Sequence, residues 1–390
     1  MKNASREFQV FTKPVGSACN LRCSYCYYLG KKNLYPDSGR FLMADNILEK
    51  YIIQHIEAST EDLITFSWHG GEPLLAGIGF FKKVLKFQKK YKPAGSTIIN
   101  GIQTNGTLLD ERWCHFLAEN KFLVGISIDG PGEFHNQNRR TLGNNNSFLN
   151  VIRGYELLKN DGVLSEILCV VNADNVNHPL IIYNFFKQLG AEYITFLPLV
   201  EQDNGSETGV SKKSVPSKDF GMFLSAIFDE WVEKDIGRIK VQIFEEAART
   251  AFNQEHTLCI FKINCGGVPV VEHNGDFYSC DHYVDNEHLL GNIKDKSLSY
   301  FLDCDSQKAF GMSKSNTLPR YCTECEVKSM CNGECPKNRF ISTPDGEAGL
   351  NYLCSGYKYF FNHCRPFVEA IVEAWNQPHP PSPSPKGERV

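Results

Sequence analysis

The sequence predicts an α/β protein built on a parallel sheet, followed by a cysteine-dense C-terminal unit. Three observations carry this expectation. Up to about residue 235, six β-rich runs alternate with six helical stretches. The unusual polar motifs of that region each follow a β-rich run directly. Ten of the fifteen cysteines lie beyond residue 258, where the alternation stops.

The β-rich runs are "FQVFTK" (8–13), "LITFSW" (63–68), "TIINGI" (97–102), "FLVGISI" (122–128), "EILCVV" (166–171) and "YITFLPL" (193–199). Helical stretches lie between and after them near 44–57, 78–91, 110–119, 147–160, 178–189 and 217–234. In "NNSFLNVIRGYELLKND", Phe148, Ile152, Tyr155 and Leu158 recur at three- to four-residue steps, the spacing of one helix face. Asp110 and Ser147 are the expected N-caps of their helices. A doubly wound sheet and a partial barrel both fit this order. Beyond the alternating region, "VPVVEHNGDFYSCDHY" (268–283) reads as a hairpin turning at Asn274 and Gly275. "YCTECEVKSMCNGECPKNRF" (321–340) has too few apolar residues for a core and needs metal to fold. The Pro/Ser-rich ending, 377–390, is expected to be a disordered tail.

The formal net charge is −4 and no long basic run occurs, which argues against a nucleic-acid surface. "MKNASREFQV" has no apolar leader core, and no stretch is long and apolar enough to span a bilayer. A cytoplasmic protein with no membrane partner is expected, so its cysteines are not read as disulfides.

The polar motifs sit at strand ends, the face on which parallel α/β proteins build active sites. The first strand is followed by "CNLRCSYC" (19–26), the second by "HGGEP" (69–73), the third by "QTNGT" (103–107) and the fourth by "DGP" (129–131). No GxGxxG or phosphate loop accompanies them. Cys19, Cys23 and Cys26 can hold three irons of a [4Fe–4S] cube and leave the fourth open. Zinc would need a fourth ligand, and no His lies in or beside the loop. At the other end stand Cys259, Cys265, Cys280, Cys322, Cys325, Cys331, Cys335 and Cys354. These eight thiols suffice for two four-thiolate sites, and spacing alone allows zinc or iron–sulfur there. Cys114, Cys169, Cys304 and Cys364 remain as core or surface thiols.

Together these stretches resemble a known family. "CNLRCSYC" resembles the radical S-adenosylmethionine (SAM) signature, and the C-terminal array resembles a SPASM domain. "KPVGSACNLRCSYCYYL", "TFSWHGGEPLLAG", "QTNGTLLDERW", "FLVGISIDGPGEFHNQNR", "EHNGDFYSCDHYV", "CNGECPKNRF" and "GLNYLC" are most similar to the anaerobic sulfatase-maturating enzymes. The resemblance runs from residue 13 to about 365. It implies a partial (β/α)6 TIM-like barrel over 1–235 and an Fe–S-binding SPASM domain over 236–376.

It also implies three [4Fe–4S] clusters, with SAM on the open iron. Cys259, Cys265, Cys280 and Cys335 would hold one auxiliary cluster, and Cys322, Cys325, Cys331 and Cys354 the other. Tyr25, Gly71, Glu72, Ser127, Arg139 and Val200 would contact SAM. Read alone, Arg139 is as well a solvated charge and Ser127 a strand-end hydroxyl. Asp281 would be the base that deprotonates the substrate residue, although alone it reads as a turn aspartate. His69, where some relatives carry Gln, either contacts substrate or ends its strand.

The implied reaction converts Cys or Ser in a sulfatase Cys/Ser-x-Pro-x-Arg motif to Cα-formylglycine. The partners would be an unfolded or nascent sulfatase segment and a low-potential donor such as ferredoxin or flavodoxin. Two rival readings stand beside it. A SPASM enzyme crosslinking ribosomal peptides commonly carries an N-terminal peptide-binding domain, and only about a dozen residues precede the first motif here. The other rival is a zinc-stabilised binding protein.

Overall fold

Each β-rich run is followed by enough chain to return to the same edge of the sheet, which is what parallel pairing requires. In the computed structural model, which describes residues 3–35, 41–207 and 209–376, the order is β1 (Phe11–Thr12), α1 (Asp45–Ala58), β2 (Leu63–Trp68), α2 (Ile78–Tyr91), β3 (Thr97–Thr104) and α3 (Glu111–Glu119). It continues through β4 (Leu123–Ser127), α4 (Gly132–Asn138), α5 (Phe148–Asn160), β5 (Ser165–Val171), α6 (Pro179–Gln188), β6 (Tyr193–Pro198) and α7 (Ser217–Lys234). Strands β1 to β6 pair in sequence order, all parallel, as a partial barrel. The tail expected at 377–390 lies outside the described residues.

Three local expectations change. Asp110 caps α3, its carboxylate accepting from Trp113 N at 2.8 Å. Ser147 precedes α5 but does not cap it, because its hydroxyl donates to Arg139 O at 2.6 Å. Asn136 Oδ1 accepts from the amides of Ser147 and Phe148 instead, both at 3.1 Å. Helix α4 was not expected: "GEFHNQN" has seven residues and only one large apolar side chain, Phe134, so no periodicity marks it. The alternation also continues past residue 235, through β7 (Lys240–Val241), parallel to β6, and α8 (Gln242–Ala251). A two-residue strand is too short to leave a pattern in sequence.

The hairpin is β8 (Val270–Val271) against β9 (Asp276–Tyr278), followed by β10 (Leu289–Asn292). Its turn places Gly275 at φ +93°, a conformation that favours glycine. Strand β8 pairs parallel with the free side of β1, so the hairpin continues the barrel sheet. After it come α9 (Leu298–Asp303), α10 (Asp305–Asn316), two single-turn helices α11 (Arg320–Thr323) and α12 (Lys328–Cys331), and a small ribbon of β11 (Ile341–Ser342) and β12 (Ala348–Leu350).

Helix α13 (Cys354–Asn376) closes the described chain and packs on α7. Their axes approach where Gly356 meets Gly221: a Cβ on Gly356 would lie 2.0 Å from Ser217 O. Ser217 Oγ also accepts from Gly356 N at 3.0 Å. No helix among the described residues is long and apolar enough to cross a membrane.

Candidate functional site

The loop after β1 carries Cys19, Cys23 and Cys26 and is braced from two sides. The end of α4 holds it through Ser24 N donating to Asn138 O at 2.9 Å and Arg22 N donating to Arg140 O at 2.7 Å. The "HGGEP" loop holds it through Glu72 N donating to Ala18 O at 2.8 Å. Gly71, at φ +40°, permits that approach, since a Cβ there would lie 2.1 Å from Ala18 O. Asn105 adds a side-chain donor 3.7 Å from Cys19 Sγ. Burial pushes the Cys19 thiol up to about 12 and the Cys23 thiol up to about 11. Iron binding must therefore displace their protons.

Glu72 is fully buried and ties two strand ends together. Its carboxylate accepts from Leu74 N at 3.0 Å, Thr104 Oγ1 at 2.8 Å and Asn105 N at 2.8 Å. Burial raises this carboxyl to about 7, against the pull of those hydrogen bonds. Across the mouth, Asp129 gathers two predicted residues. Arg139 Nε donates to its Oδ2 at 2.9 Å, the Tyr25 hydroxyl donates to the same oxygen, and Val170 N donates to Oδ1 at 3.0 Å. The Arg139 guanidinium lies 5.5 Å from the Tyr25 ring centre. Arg139 is thus a buried, paired charge and not a solvated one. Ser127 is buried at the end of β4, and Val200, buried beyond β6, accepts at its carbonyl from Lys337 Nζ at 3.1 Å. All six predicted SAM-contact residues lie at the strand-end face or in the loop crossing it.

Asp281 reaches this face through strand pairing. Lys13 N donates to Val271 O at 2.9 Å, which carries the hairpin and its Cys280–Asp281 corner alongside the end of β1. The buried carboxylate of Asp281 then meets Lys13 Nζ at 2.5 Å through Oδ1 and accepts from the Tyr27 hydroxyl through Oδ2. Burial would raise the Asp281 carboxyl, but the Lys13 ammonium outweighs it and holds the group well below the usual carboxylate range. His69 stacks on Phe11 with ring centres 4.7 Å apart and lies 2.9 Å from Lys13 through Nδ1. Enclosure pushes its imidazole down to about 3, so the ring is neutral.

The eight C-terminal thiols fall into two groups. Cys280 lies near Cys259 and Cys265, and Cys335 near Cys280 and Cys259. Cys354 lies near Cys322 and Cys325, and Cys331 near Cys354 and Cys322. Cys322, Cys325, Cys331 and Cys354 line one cavity together. Among the described residues, no three His, Cys, Asp or Glu side chains converge on a position for a single ion. Four thiols around one cavity, as in Cys322, Cys325, Cys331 and Cys354, are a donor set that a multi-iron cluster takes.

Between the two groups runs "CNGEC", where Asn332, Gly333 and Glu334 take consecutive left-handed conformations at φ +47°, +71° and +49°. The turn sends Cys331 to one group and Cys335 to the other. Its strain is opposed by Arg339, which donates to the carbonyls of Asn332 at 3.1 Å, Gly333 at 2.9 Å and Glu334 at 3.2 Å. Cys114, Cys169 and Cys364 are buried, and the Cys304 thiol donates to Phe301 O at 3.3 Å.

Sequence reasoning did not single out Lys13, Tyr27 or Asp129 as site residues. Lys13 and Tyr27 lie within the motif "KPVGSACNLRCSYCYYL", and Asp129 opens "DGP", so position at a strand end was the available signal.

Comparison with known proteins follows the same lines. A profile of the radical SAM superfamily matches residues 14–179, and one of an iron–sulfur cluster-binding domain matches 265–326. The chain is 44% identical over 390 aligned positions to the serine-type anaerobic sulfatase-maturating enzyme of Bacteroides thetaiotaomicron, covering 96% of this chain and 94% of that one. It is 34% identical to the cysteine-type enzyme of Clostridium perfringens, with 91% and 95% covered. A solved structure of anSMEcpe with bound AdoMet and the Cp18Cys peptide superposes with a TM-score of 0.84 at 32% identity, covering 95% of this chain and 100% of that one.

Proposed function

The chain belongs to the anaerobic sulfatase-maturating enzymes of the radical SAM superfamily, and on that premise we propose that it oxidises Cys or Ser in a sulfatase Cys/Ser-x-Pro-x-Arg motif to Cα-formylglycine. It binds iron–sulfur clusters and SAM. The proposed count is three [4Fe–4S] clusters: one on Cys19, Cys23 and Cys26, one on Cys259, Cys265, Cys280 and Cys335, and one on Cys322, Cys325, Cys331 and Cys354. The donor sets fit, three thiols in an open loop and two sets of four. When bound, a reduced cluster and SAM would supply the radical chemistry that abstracts hydrogen at the substrate Cβ, and an auxiliary cluster would offer an acceptor for the leaving electron.

The chain's own residues supply position and a proton acceptor. Gly71, Glu72, Ser127, Arg139, Tyr25 and Val200 form the SAM-binding wall, with Asp129 fixing Arg139 and Tyr25. Oxidation at Cβ removes one hydrogen atom, one electron and the proton of the thiol or hydroxyl; from Ser this gives the aldehyde directly, and from Cys a thioaldehyde that water converts to the aldehyde with loss of hydrogen sulfide. Asp281 takes that proton: as an ionised carboxylate beside Cys280, it stands where proton and electron depart together. The barrel is assigned to 1–235 and the cluster domain to 236–376, with β7 and α8 carrying the barrel's alternation across that boundary. The partners are an unfolded or nascent sulfatase segment and a low-potential donor such as ferredoxin or flavodoxin, in the cytoplasm.

The observation that carries this reading is the β1–β8 pairing, which mounts the Asp281 corner beside the three-thiol loop. Anaerobically purified protein is expected to hold roughly twelve irons and, with SAM and reductant, to convert peptides bearing the motif. Hydrazine trapping and mass measurement identify the aldehyde. Asp281→Asn should still cleave SAM while formylglycine falls at least a hundredfold; full formation in this variant removes Asp281 as base. An iron-free wild type overturns the functional reading itself.

A further inference from the structure

Among the described residues, Lys13 is the one fully buried lysine whose ammonium sits at the mouth of the barrel, and nothing in the reaction described above uses it. Its side chain is 0% exposed. Nζ lies 2.5 Å from Asp281 Oδ1, 2.9 Å from His69 Nδ1 and 4.5 Å above the Tyr28 ring centre. Tyr28 is itself anchored, its hydroxyl donating to the buried Glu272. A buried ammonium is costly unless its protons and charge are answered, and here carboxylate, imidazole and ring face answer them.

We infer that Lys13 is the positioning residue of the active site, holding Asp281 and His69 in one fixed arrangement and acting on the reaction through them. The inference rests on Asp281 being the base. Lys13 fixes Oδ1 while Tyr27 fixes Oδ2, so the carboxylate plane is set by contacts on both oxygens. Accepting from Lys13 at Nδ1 leaves the neutral His69 ring with its proton on Nε2, which makes that nitrogen a donor.

The backbone is arranged around this lysine. Its amide is bonded to Val271, and a Cβ on Gly70 would lie 2.2 Å from Lys13 Cδ, so glycine leaves the side chain its passage. Lys13 cannot reach a peptide through the groups that enclose it. Its loss therefore acts on the proton-removal step by misplacing the base, an effect to which rates are steeply sensitive.

The measurement is the yield of formylglycine per 5′-deoxyadenosine formed, with the peptide KM taken alongside. For Lys13→Met the yield is expected to fall at least tenfold, with peptide KM within threefold of wild type and iron content unchanged. Lys13→Arg, which keeps the charge, should recover the yield to within about threefold of wild type. An unchanged yield in Lys13→Met, or no recovery in Lys13→Arg, overturns the inference. Should Lys13→Met fail to retain its iron, Lys13→Gln, neutral but hydrogen-bonding, takes its place in the comparison. A wild type making no formylglycine fails the functional reading; a productive wild type with an unchanged variant yield fails this inference alone.

Discussion

His55, on α1, is enclosed by Phe66, stacked at 4.2 Å, by Phe8 edge-on at 5.1 Å and by Tyr51, whose hydroxyl lies 3.1 Å from Nδ1. Burial pushes its imidazole down to about 3. Below pH 6.5 the unfolded chain binds a proton at this residue and the folded chain does not. Stability is therefore fully present above pH 6.5 and is lost as pH falls toward 3, by about 1.4 kcal/mol per pH unit. Replacing His55 with Leu should remove this one-proton slope, read from anaerobic urea melts between pH 6.5 and 5. An unchanged slope would mean that the ring titrates normally in the folded protein. The same physics limits what single residues disclose in sequence. The cysteines were legible because their spacing is itself the chemistry. Lys13 and Asp129 were not, because a lone charge carries no mark of the partner that folding brings to it.

Helices α7 and α13 come together without large side chains at their closest point, and the contact fixes more than their own packing. Cys354 stands two residues before Gly356, so the approach of the helices positions one of the cluster-site thiols. Alanine at 356 would gain about 1 kcal/mol in helix propensity but force a methyl group against Ser217 O. Overpacking costs about 1–3 kcal/mol, and a methyl group 2.0 Å from a backbone oxygen falls at the top of that range, so the clash wins. Gly356→Ala should lower the melting temperature and reduce bound iron by at least roughly four per chain; full iron content would show that Cys354 is placed independently of α7. Helices α2 and α7 fall where the sequence suggested, whereas α13 was not expected, although it is long enough to carry a pattern, because that stretch reads first for its cysteines. The short α4 and two-residue β7 were not expected either, since neither is long enough to repeat a pattern.

One sheet runs from β10 through the hairpin and β1 to β7, so barrel and cysteine-rich unit share a hydrogen-bonded frame. The alternation of strands and helices made the barrel legible, but the joining of β8 to β1 spans more than 250 residues and leaves no local signal. The frame makes lengths unequal in importance. A residue inserted between Tyr278 and Cys280 advances the Asp281 corner by about 3.3 Å relative to β1 and should abolish formylglycine formation. An insertion between the exposed Gln254 and Glu255 should leave formation within about twofold. Equal tolerance at the two places would show that the sheet does not set the site.

The "CNGEC" turn has a consequence for how the protein acquires its metal. On the proposed assignment, filling either four-thiol set orders the turn that presents a ligand to the other. The second filling then meets a thiol already in place. Reconstitution of the two sets should be cooperative, with half-loaded chains scarce and the iron titration sigmoidal.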